Sequence, residues 1–148
     1  MRPFLVMFLS ALLIGHTTDR GEDFRRYYSS IDVIDLPVVF DCLKDIKYAD
    51  MSKVDPALFE RFHPQPANLV GRVFPSEKFV SIIYLFPTDS GTPVLFTYSK
   101  DGRPIDTLGL YLGGCQSDPG GSQHSFISIR PDRTIRFIDS VFNVRRIR

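Results

Sequence analysis

The chain has no tryptophan, only two cysteines and three histidines, and no apolar run of the roughly 20 residues that a membrane-crossing helix needs. His16, His63, His124, Cys42 and Cys115 fall into no H-x-H, H-x-x-x-H or C-x-x-C spacing, so no zinc motif is present and no metal or other cofactor is expected. A D-x-D-x-D-G calcium run, a Gly-rich phosphate loop and a fixed-period repeat are also missing. Carboxylates are plentiful, but no spacing singles out a pair for glycoside hydrolysis. The net charge of +1 speaks against nucleic acid as the main partner.

What is present begins with an address. Met1 and Arg2 give a short basic start, and Phe4 to Ile14 is apolar except for Ser10. That length suits the core of a secretory signal, about 7–15 residues, and is too short to span a bilayer. Residues 1–16 are therefore read as a signal peptide cut between about Gly15 and Thr18, and residues 17–148 as a single domain. Leu13-Ile14-Gly15 resembles the lipobox of bacterial lipoproteins. His16 occupies the place of the lipid-accepting Cys, and an imidazole cannot form the thioether, so ordinary cleavage is expected. Export to the periplasm, the envelope or the medium follows, with membrane contact only if the signal is retained.

Thirteen Phe and six Tyr, broken up by eleven Pro and ten Gly, suggest an aromatic core joined by many turns, a profile that favours β structure. Ile31 to Phe40 is β-branched around Pro37, which cannot donate to a ladder, and reads as an edge strand or one broken in two. Asp55-Pro56 starts one short helix over residues 56–62, with Leu58, Phe59 and Phe62 on its apolar face. Strands are predicted at Leu69–Phe74, Lys78–Phe86, Thr92–Ser99, Pro104–Leu112, Ser125–Arg130 and Thr134–Phe142. The second of these is apolar on both faces and should be central. Asp101-Gly102 and Pro131-Asp132-Arg133 are hairpin turns. The expected product is a mainly β, or β-rich α+β, domain: an antiparallel meander of six to seven strands forming a small barrel or sandwich.

The stretches YSKDGRPIDTLGL and SFISIRPDRTIRFIDS carry a strand, a D-G turn, an I-D-x-L strand and a Ser/Ile/Asp-rich strand pair. Over about Pro93 to Ser140 the chain resembles small, uncharacterised exported or lipid-anchored bacterial β-domain proteins. That resemblance implies a fold and a compartment, not an activity.

Candidate chemistry is sparse. Cys42 and Cys115 could form a disulfide in an oxidising compartment, or stay as two thiols. Cys115 with His124 as base would make a hydrolase, a reading that a disulfide excludes. Charge is sorted along the chain: Asp19 to Glu60 has ten acidic and six basic side chains, whereas Arg130 to Arg148 has six Arg and two Asp. Arg130, Arg133 and Arg136, with Arg145, Arg146 and Arg148, could form an anion-binding surface or pair with the acidic segment. The Gly- and Pro-rich stretch Gly113 to Ser122, with Gln116, Ser117 and Asp118, is the first candidate binding loop. It is equally readable as a passive connector, with Tyr27, Tyr28, Tyr98 and Tyr111 at the rim of the core. The functional expectation is an exported non-enzymatic binding or structural protein whose partner is an envelope protein, a glycan or an anionic surface; an inhibitor that plugs a hydrolase with this loop is the alternative.

Overall fold

Asp19 caps the first helix by accepting a hydrogen bond from the Gly21 amide at 3.0 Å; helix α1 is Arg20–Ser30. The structure, a computed structural model, describes residues 19–41, 45–88, 91–110, 116–118 and 121–143, with the backbone alone at 116–118, 121–123, 142 and 143. Phe24, Tyr27 and Ile31 recur along α1 at helical spacing and are exposed by 1% or less. An isolated helix of this length is marginal in water, whereas each large apolar side chain buried contributes about 1.5–3 kcal/mol, so packing is what holds α1. The expectation of a single short helix is corrected here: five charged residues in RGEDFRRYYSS obscure the narrow apolar stripe. Helix α2, Pro56–Phe62, forms where predicted, with the Asp55 carboxylate accepting from the Ala57 and Leu58 amides.

The described strands are β1 (Val38–Asp41), β2 (Asn68–Val73), β3 (Phe79–Phe86), β4 (Thr92–Ser99), β5 (Pro104–Gly109), β6 (Gln116–Asp118), β7 (Gly121–Ile129) and β8 (Ile135–Asn143). They form two antiparallel sheets. Sheet 1 is the meander β2-β3-β4-β5. In sheet 2, β7 pairs with β8 along one edge and with β1 and β6 on the other. The mainly β fold is as expected, in the form of a sandwich. The meander is interrupted because β1 joins β7, far away in sequence, and β6 adds a strand within the presumed loop.

Pro37 does break its segment. Val33 makes an isolated parallel bridge to Arg72 of β2, and the chain then crosses to sheet 2, where β1 runs from Val38 as an edge strand. In the Asp101-Gly102 turn only Gly102 takes a positive φ, +80°, and an irregularity at Thr97/Tyr98 absorbs the extra residue of β5. In the last hairpin Arg133 has φ +67°, and Ile127 and Ile129 face Phe137 and Ile135 as predicted.

Sheet 1 is covered twice. Val80, Ile82 and Tyr84 of β3, with Leu69 and Tyr98, pack against Phe24, Tyr27, Ile31 and Leu58 of the helices. Ile83 and Leu85 lie on the opposite face with Val70, Val73 and Leu95, against Phe40, Ile127 and Ile129 of sheet 2. This is why KFVSIIYLF has no polar face: β3 lies between two layers.

The helix-facing core is aromatic and holds a few polar atoms. Phe24 meets the rings of Phe62 and Tyr98 at 5.2 and 5.3 Å. The Tyr27 and Tyr84 hydroxyls lie 3.1 Å apart, and burial pushes the Tyr27, Tyr84 and Tyr98 phenols upward, so they stay protonated and can share hydrogen bonds. Asp23, buried near the start of α1, pairs with Arg61 of α2 and ties the two helices together. His63 is buried against Phe59, with ring centroids 4.0 Å apart, and its Nδ1 has no partner.

Two predictions follow from this packing. A Cβ at Gly102 would lie 2.8 Å from Phe24 Cγ at a backbone angle that alanine resists, so Gly102→Ala should destabilise the fold by about 1–3 kcal/mol in urea denaturation. An unchanged midpoint would show that α1 does not sit against this turn. Burial lowers the His63 pKa below its ordinary value, so the folded state binds fewer protons than the unfolded chain. Its stabilising contribution is complete above about pH 6.5 and is lost as the pH falls through the depressed value. His63→Phe, which keeps the ring, should flatten the decline in stability between about pH 7 and 5.

Candidate functional site

The segments Asp32–Asp41 and Asp45–Lys53 have little regular structure, and together they line a cleft of about 650 Å³. Its position follows from the two-sheet crossing. Ile34 and Asp32 are fixed to β2 by backbone hydrogen bonds, Ile34 N to Arg72 O at 2.8 Å and Arg72 N to Asp32 O at 2.9 Å. Ala49 N donates to Leu69 O at 3.0 Å and holds the second segment to the same strand. Both walls are thereby hung on β2.

The apolar part of the lining comprises buried Phe40 and Val70 with half-buried Ile34, Val38 and Ile46. Asp32, Asp35, Asp45 and Asp50 are exposed around it, Asp41 is half-buried, and Lys47 and Lys53 are the basic residues of the lining. Lys53 Nζ is 2.8 and 2.9 Å from the two Asp32 oxygens, and this hydrogen-bonded pairing raises the Lys53 pKa. Asp50 caps the turn at Met51–Lys53, and hydrogen bonds from Ser52 lower its pKa. Asp35, Asp45 and Lys47 have no ion-pair partner among the described residues. With five carboxylates against two ammonium groups, the cleft carries a negative field. Among the described residues no three His, Cys, Asp or Glu side chains converge to hold a metal ion.

A second feature lies on the outer face of sheet 2. His124 Nε2 is 2.8 Å from Asp41 Oδ1, so a strand-borne carboxylate orients the imidazole. The pair arises because Asp41 lies opposite Phe126, whose side chain shares a face with that of His124. It also brings the acidic segment of the chain to the strand that leads into the arginine-rich one. The same Asp41 lines the cleft.

The chain matches no family model, no curated protein and no solved structure. Its function must be read from its own residues.

The residues singled out in the sequence fall into three places. Arg130 ends the β7 segment, Arg133 is in the turn and Arg136 is in β8, so one hairpin brings the three together. Between them Asp132 accepts from Thr134 N and Oγ1, and these bonds, aided by Arg130 and Arg136, lower its pKa. Gln116, Ser117 and Asp118 form β6, paired with Gln123, Ser122 and Gly121. Within the expected loop Gly113–Ser122, residues 116–118 and 121–122 are strand instead, since Gly and Ser supply ladder groups as well as any residue. Cys42, Cys115, Tyr111, Arg145, Arg146 and Arg148 lie outside the described residues, as does the expected signal segment. No described helix is long and apolar enough to cross a membrane.

Asp35, Asp45, Lys47 and Lys53 were not singled out in the sequence. The available signal was the acidic excess from Asp19 to Glu60; the fold turns part of it into a cleft lining.

Proposed function

We propose that the protein is an exported, non-enzymatic binding protein of the cell envelope, and that its cleft holds a cationic, partly apolar segment of another envelope protein. The observation that carries this reading is the 650 Å³ cleft, with an apolar lining and an excess of carboxylates. That volume lies in the ordinary range for ligand sites, about 300–1,000 Å³, and the charge favours a basic ligand whose apolar side chains cover Phe40 and Val70. Arg130, Arg133 and Arg136 offer a separate contact for an anionic surface, glycan or lipid headgroup.

Export is supported by the basic start and eleven-residue apolar run before Gly15. A Cys42–Cys115 disulfide belongs to the same proposal. Cys42 follows Asp41 and Cys115 precedes Gln116; those neighbours lie opposite Phe126 and Gln123 on the same edge of β7. An even cysteine count in an exported chain favours their pairing. A second reading, a hydrolase using Cys115 and His124, draws support from the Asp41 carboxylate that orients His124. Turnover of a generic ester or peptide substrate, lost on Cys115→Ala or His124→Ala in a folded protein, would replace the binding reading with that one.

Intact mass of the protein from its native envelope fraction should show loss of about 15–18 N-terminal residues, the range set by the expected signal. Alkylation should add two groups only after reduction. A full-length mass, or alkylation without reductant, would sink the export or the disulfide reading respectively. For the cleft, the probe is a fluorescent peptide alternating Lys and Leu, with a Glu/Leu peptide as control. The Lys/Leu peptide should bind, weakening with salt, and the double change Asp35→Asn/Asp45→Asn should weaken it by about tenfold, the effect of roughly 0.7 kcal/mol for each charge. Equal binding of both peptides, or no effect of the double change, would remove the cleft as the site.

A further inference from the structure

At the far end of sheet 1 a small pocket of about 60 Å³ lies between the C-terminal part of α1, the β2–β3 turn and the β4–β5 turn. Two cations lie over one ring there: Arg72 Cζ is 5.6 Å and Lys100 Nζ 4.9 Å from the centroid of Tyr28. Both cations are half-buried, and neither has an ion-pair partner among the described residues. Arg72 Nε is fully buried and makes no hydrogen bond. Asp101, the carboxylate nearest Lys100 in sequence, is already engaged by Ser99 Oγ and by Arg103 at 2.8 Å. Glu77 in the β2–β3 turn is exposed and is not part of the pocket lining.

A buried guanidinium N–H without an acceptor is costly, so two cations that line one pocket without an ion-pair partner are stabilised when an anion enters. Other features of the pocket suit an anion. Ser76 Oγ accepts from Lys78 N at 3.1 Å, which leaves its own proton free to donate, and the buried Ser81 adds a second hydroxyl to the lining. Phe74, next to the pocket, has φ +52°, an unfavourable angle for a bulky residue and of a kind that concentrates at binding sites. Both backbone polar groups of Arg72 bond the Asp32–Ile34 segment, and Arg72 stands opposite Ile82 in the β2–β3 ladder, so its side chain starts from a rigid base. The pocket is small, about 60 Å³, a scale suited to a small group and not to a large ligand.

We propose that this pocket binds a single tetrahedral oxyanion, phosphate or sulfate, either free or as the terminal group of a larger molecule, between Arg72 and Lys100. The site is separate from the cleft and stands whether or not the cleft binds a basic segment.

The test uses the full protein at low salt and follows the Arg72 Nε–Hε resonance by NMR. Sodium phosphate, sodium sulfate and sodium chloride are titrated at matched ionic strength, alongside phosphatidylcholine vesicles with and without phosphatidic acid. Phosphate or sulfate, but not chloride, should produce a saturable shift; binding to phosphatidic acid vesicles in addition would assign the group to a lipid headgroup. Lys100→Gln should weaken binding by about tenfold, the effect of one charge-assisted contact, and Arg72→Gln, which removes the reporter resonance, should abolish phosphate binding measured by titration calorimetry. Lys100 is in a surface turn, so its variant keeps the test open if the Arg72 variant fails to fold. A shift that tracks ionic strength alike for all three salts, no response to any anion, or an affinity unchanged by Lys100→Gln would overturn the proposal.

Discussion

A strand that is apolar on both sides must be covered on both sides, and β3 is such a strand. Val80, Ile82 and Tyr84 require the helices on one face, while Ile83 and Leu85 require sheet 2 on the other. A single sheet closed into a barrel would have covered only one of these faces with its own interior. The chain meets the demand by placing α1 before the strands and by sending the segment after α1 past β2 and across to β7. Both the bridge at Val33 and the pairing of β1 are products of that route.

The cleft is a consequence of the same route. A chain that leaves one sheet for another has a stretch belonging fully to neither, and residues 32–37 and 45–53 are such stretches. Their backbone is held by a few hydrogen bonds to β2, and exposed Asp35, Asp45 and Lys47 have no ion-pair partner among the described residues. Gly71 marks how tight the crossing is: a Cβ there would lie 2.6 Å from Ile34 Cγ1. Arg72, the next residue, contributes its main chain to the support of the cleft and its side chain to the pocket beside Tyr28. The two candidate sites therefore share a rigid element while differing in charge.

Local patterns in the sequence were enough to predict β2 to β5, the β7–β8 hairpin and α2, because turn residues and alternation act over a few neighbours. The two-sided burial of β3 was also legible, from an apolar run with no polar face. Helix α1 was hidden because its stripe of Phe24, Tyr27 and Ile31 is interleaved with charges that serve its solvent side and the ion pair between buried Asp23 and exposed Arg61. Strand β6 was hidden because a three-residue ladder depends on its partner and not on its own composition. The pairing of β1 with β7, and with it Asp41 beside His124, depends on burial across the sandwich, which no local pattern encodes. The cleft was visible only as an excess of acid over a long stretch.

The distance in sequence between β1 and β7 has a bearing on how the molecule assembles. Val38–Asp41 is synthesised before its ladder partners, Phe126–Ile129, and before the whole of β2 to β5, which lie between them in the chain. Until they arrive, β1 has an open edge and Phe40 lacks its apolar neighbours from the second layer, while the meander of β2 to β5 can already close on itself. Contacts of such long range slow folding, so β1 is the strand whose pairing depends most on a distant part of the chain.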